Sequence, residues 1–127
     1  MQTLQLNRES ITTLVHIFYG DIRTDPLLGP VFDAAIGPHW DTHLGRMVDF
    51  WCTTMLKTKE FQGNVFGKHM ALSGVEPDHF KRWLALFEAT AARLFAEPVA
   101  AEFAVVARRI AASLQFGFFG KVVVGEQ

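Results

Sequence analysis

Apolar residues in this chain return every three or four positions, and apart from the brief Val122 to Val124 run no strand pattern competes with that spacing. A period near 3.6 gives each segment one apolar stripe that must be buried against a neighbour, which predicts an all-α fold. From Asn7, a good N-cap, the stripe reads Ile11, Leu14, Val15, Phe18 and Ile22, with Tyr19 on its border and Asp25-Pro26 as the stop. The next stretch, with Gly29-Pro30 and Gly37-Pro38, is too punctuated for a long element yet carries Leu27, Leu28, Val31, Phe32 and Ile36, and reads as a loop that faces inward.

A helix is expected from about Trp40 to Leu56, with Trp40, His43, Leu44, Met47, Phe50, Trp51 and Met55 near one broad face. After the polar Lys57 to Glu60, a glycine-flanked segment holding Phe66, His69 and Leu72 is read as one or two helical turns that Ser73-Gly74 ends. Pro77 suits the first position of a helix whose stripe is Phe80, Trp83, Leu84, Phe87, Ala91 and Leu94, and Pro98 breaks the pattern. A last helix places Val99, Phe103, Val106, Ile110 and Leu114 inward and ends near Gly117 to Gly120, before a short tail. Four or five helices in one pair of layers, forming a single domain over 1–127 with its core at about 7–118, is the expected architecture.

Composition removes some function classes. The formal net charge is -1 and no basic run occurs, so the electrostatic footprint of a nucleic-acid binder is missing. Cys52 is the only cysteine, which forbids an internal disulfide and fits a reducing cytosol, and it reads as a small packing residue. Arg8 and Glu9 stand where a signal peptide needs its apolar segment, and no run reaches the roughly 18 uncharged residues of a membrane helix, so a soluble cytoplasmic protein without membrane partners is expected. Twelve Phe and three Trp suggest a core that also lines a pocket, although dense packing alone would account for them.

The histidines carry the chemistry. His39 and His43 have the spacing of a helical metal pair, but a zinc protease helix needs glutamate where Trp40 stands, and Gly37-Pro38 puts His39 at or before the helix start. His39 therefore reads as a surface residue and His43 as a partly buried one. His69, in FGKHMAL, is an imidazole among apolar neighbours on a weak turn, and it needs a partner. It is either capped and half-exposed, or a ligand to haem iron, in which case burying that apolar plate would employ the surplus aromatics.

FYGDIRTDPLLGPVFDAAIG, WDTHLGRMVDFW, GKHMAL and HFKRWLALFEA, in that order and spacing, resemble the group III truncated haemoglobins, the two-over-two helical globins. The resemblance covers about residues 7 to 118, and the lack of a Gly-Gly pair agrees with it. It implies that His69 is the proximal ligand of haem b, that Phe32 packs on the haem face, and that Tyr19, Trp83 and His43 surround the distal ligand. A phenol O–H and an indole N–H would stabilise negative charge developing on that ligand, each slowing escape by about tenfold. His43 would donate or gate entry by swinging. Met47 faces the same cavity, with Phe18, Phe50 and Trp51 as apolar walls, Phe66 and Leu72 flank His69, and Arg46 and Lys68 are candidates for pairing with the haem propionates.

Three functions remain open on this reading. One is binding or transport of dioxygen at a five-coordinate iron, with nitric oxide, carbon monoxide, cyanide or peroxide as further ligands and an unidentified reductase as partner. The second is an enzyme on the same site, peroxidase-like or a nitric oxide dioxygenase. The third is a haem-free helical module whose aromatic face meets a partner protein.

Overall fold

The computed structural model describes residues 3–56 and 76–119, the last four as backbone only. Within them the chain forms α1 (Arg8–Thr24), α2 (Gly29–Ile36), α3 (Trp40–Leu56), α4 (Pro77–Leu94) and α5 (Glu97–Phe119). The segment 57–75, with Phe66, Lys68, His69 and Leu72, and the C-terminal tail lie outside the described residues.

α1 starts where the sequence places it. The Asn7 side chain accepts from the Ser10 amide at 2.9 Å and Ser10 Oγ accepts from the Asn7 amide at 3.0 Å, a reciprocal cap that satisfies two otherwise orphaned donors. The whole stripe is buried, and Tyr19, expected at its border, lies well inside it at 4% exposure.

The stretch read as an inward loop is instead the eight-residue helix α2. Three local devices make a helix of a segment punctuated by glycines and prolines. The Asp25 carboxylate accepts from the amides of Leu27 at 3.0 Å and Leu28 at 2.9 Å, ahead of the first turn. Pro30 occupies a first-turn position where no N–H is required. Gly37 then ends the helix at φ 57°, in the left-handed region. The inward character survives in Leu28 and Phe32, both buried.

α3 begins at Trp40 as expected, and His39, exposed, stays ahead of it while its carbonyl accepts from the His43 amide at 3.0 Å. Pro77 opens α4, where His79 Nδ1 accepts from the Glu76 amide at 2.9 Å. Pro98 does not interrupt the chain's helical course. The break falls at Phe95, and Pro98 sits in the first turn of α5, where its ring is compatible with a helix start. Phe95 itself is buried and stacks on Phe103 at 5.0 Å between centroids.

α1 packs on α3 and crosses α4, which packs along α5, while α2 closes against α1. This is the two-over-two sandwich. No described helix is long and apolar enough to cross a membrane.

Candidate functional site

The side chains that could do chemistry meet where α1, α2 and α3 converge. Tyr19 projects from α1 into a ring of aromatic groups: Phe18 at 4.9 Å, Phe32 of α2 at 6.2 Å, and Trp40 and His43 of α3 at 6.1 and 5.0 Å between centroids. The His43 imidazole stands at 89° to the phenol and at 89° to the Trp40 indole, 5.7 Å from the latter. Nε2 of His43 is shielded from solvent, although the residue as a whole is half-buried.

Burial drives the Tyr19 phenol far above its ordinary value of 10.0, because the phenolate would lose its hydration there. It is therefore a neutral O–H donor at any physiological pH.

Trp83 reaches the same region from α4. Its ring is half-buried, meets Phe18 edge-on at 5.7 Å, and lies parallel to Phe87 at 5.7 Å with 7° between planes. Phe87 stacks in turn on Trp51 at 4.9 Å. The Trp83 ring is thus braced by a stack that runs through Phe87 to Trp51.

The structure accordingly gathers Tyr19, Phe32 and His43 and joins Trp83 to them through Phe18. Arg46 and Met47 are half-buried on α3, the latter packed against the core. Phe66, Lys68, His69 and Leu72 lie outside the described residues.

Several neighbours were not singled out by sequence. Trp40 Nε1 donates to Asp33 Oδ1 at 3.1 Å, and the Arg23 guanidinium lies over the Trp40 ring at 4.6 Å. Asp25 also accepts from Arg82 Nε at 2.7 Å, tying the α1–α2 corner to the residue beside Trp83. Burial acts to raise the Asp25 carboxyl, but the Leu28 amide, the Arg82 guanidinium and the Leu27 amide outweigh it and hold the group below its ordinary value. An Asp that precedes a Pro reads as a helix stop, and nothing in that local signal announces a partner 57 positions away.

No family model matches the chain. Individual proteins do. It is 37% identical to the group 3 truncated hemoglobin ctb of Campylobacter jejuni over 86 residues, which cover 65% of this chain and 68% of that protein. The crystal structure of a group III truncated hemoglobin from Campylobacter jejuni superposes with a TM-score of 0.87 at 31% identity, covering 94% of this chain and 96% of that one. The chain belongs to the group III truncated haemoglobins. In this truncated haemoglobin Tyr19 stands within a ring of aromatic groups drawn from α1, α2 and α3.

Proposed function

We propose that this truncated haemoglobin is a single globin domain that binds haem b and holds dioxygen and other diatomic ligands there. The observation that carries the reading is Tyr19: a phenol 4% exposed, kept protonated by burial, and walled by Phe18, Phe32, Trp40 and His43. A neutral phenol O–H held among apolar rings can donate to a small polar ligand bound beside it.

The donor set suits that task. Tyr19, Trp83 and His43 offer O–H and N–H groups, and the neighbouring walls are flat and apolar, as an apolar planar cofactor requires. Haem, when bound, supplies an iron that accepts a diatomic ligand and draws negative charge onto it. In this reading His69 would ligate the iron, Phe32 would pack against the cofactor's apolar surface, and Met47, Phe66 and Leu72 would add apolar contacts. Arg46 and Lys68 would pair with its carboxylates. Tyr19, Trp83 and His43 donate to the ligand from fixed positions, so that little reorganisation is needed when charge develops. Dioxygen, nitric oxide and carbon monoxide fit that pocket, and an unidentified reductase would keep the iron ferrous.

The test is direct. Purified protein given haemin should develop a strong Soret band, and His69→Ala should lose it. Tyr19→Phe should speed dioxygen release in stopped flow by about tenfold, the value of one hydrogen bond. A missing Soret band sinks the haem reading. Unchanged release removes Tyr19 from the donor set.

A further inference from the structure

Trp40 is held in a way that packing alone does not require. Its ring is 6% exposed and stands edge-on to His43, three residues further along α3, while its other neighbour is Tyr19. Two groups on different elements then fix it. Asp33, from the last turn of α2, accepts from the indole N–H at 3.1 Å, and Arg23, from the last turn of α1, covers the ring face at 4.6 Å. Arg23 Nε also approaches the same Asp33 oxygen at 3.9 Å.

Asp33 is poorly placed for the helix that carries it. A carboxylate in the last turn of a helix opposes the negative end of the macrodipole, so its contribution to α2 alone is unfavourable. What it gains is the Trp40 N–H and the proximity of Arg23. A hydrogen bond fixes the tilt of the indole in its plane, and the cation fixes which face looks outward. With both in place, the indole is held perpendicular to the His43 ring.

We propose that Asp33 and Arg23, acting through Trp40, are positioning residues that hold the His43 imidazole against Tyr19 and thereby slow ligand entry. The proposal rests on the reading of His43 as a pocket residue. When the indole is held, His43 is confined between two rings that meet it at right angles. When the indole is released, His43 loses one wall and the path past Tyr19 widens.

The experiment uses the haem-loaded protein in its ferrous carbon monoxide form, with two readouts: bimolecular carbon monoxide entry after flash photolysis, and the NMR ring resonances of His43. Trp40→Phe keeps a ring but removes the N–H, and Asp33→Ala removes the acceptor. Each should speed entry about fivefold, the effect of losing one such hydrogen bond, and should shift or broaden the His43 signals. The double variant should be no faster than either single one, because both break the same link. Asp33 is more than half exposed, so Asp33→Ala gives the answer even if Trp40→Phe does not fold.

Unchanged entry and unchanged His43 signals in Asp33→Ala overturn the proposal, as do effects that multiply in the double variant. His43→Leu separates the levels. If it leaves entry unchanged, the reading of His43 itself fails. If it speeds entry while Asp33→Ala does not, only the positioning role falls.

Discussion

Tyr19 is the sole tyrosine of the chain, so any phenolate absorbance belongs to it. Its burial makes ionisation costly in the fold, whereas the unfolded chain releases the same proton near the ordinary value of 10.0. Below that value both states carry the proton and the group adds no pH dependence. Above it the unfolded state loses its proton first, and stability should fall by up to about 1.4 kcal/mol per pH unit until the folded-state value is reached. Difference spectra of the folded protein should show no phenolate band at pH 10, and Tyr19→Phe should flatten the alkaline limb of an unfolding curve. A band rising at pH 10 would mean that the phenol is hydrated. Sequence periodicity put Tyr19 at the edge of a stripe, since spacing along one helix says nothing of how deeply a neighbouring α2 and α3 will cover it. The donor role proposed for Tyr19 is an expectation from the family resemblance, not from periodicity.

At the scale of elements, the corner between α1 and α2 is the most informative. The Asp25 carboxylate is 2% exposed and serves the Leu27 and Leu28 amides and Arg82 together. Because the fold holds this carboxyl below its ordinary 3.8, its contribution is present above the unfolded value and is lost as pH falls through the folded one. Asp25→Asn should cost about 1 to 2 kcal/mol at neutral pH, a moderate figure because Arg82 is half exposed, and should flatten the acid limb below pH 4. Parallel acid limbs in urea titrations of the two proteins would show that the carboxylate is not ionised in the fold. The same corner marks where local signals stop being legible. The long helices announced themselves because each has a clean apolar stripe. α2 did not, because its start is secured by a side chain from the preceding turn. Gly29 adds a steric condition: a Cβ there would sit 2.7 Å from the Arg23 carbonyl oxygen, so the close approach of the two helices depends on that glycine.

Across the whole molecule, Phe87 joins the layers. It touches Phe18 of α1, Trp51 of α3 and Phe103 of α5 and is 1% exposed. Phe87→Ala should destabilise the protein by about 3 to 5 kcal/mol in chemical denaturation, since rings from three other helices cannot all collapse into the space left. A loss under 1 kcal/mol would indicate that the stack repacks freely. All-α architecture and most core positions were visible from periodicity, whereas the stacking order of the rings depends on crossings between helices distant in sequence. The chain has three tryptophans, and Trp40, Trp51 and Trp83 each sit within this one aromatic assembly. The ultraviolet fluorescence of the protein therefore has no remote tryptophan background, and haem bound at the proposed site should dim all three indoles together, so that the emitted light would gauge its uptake.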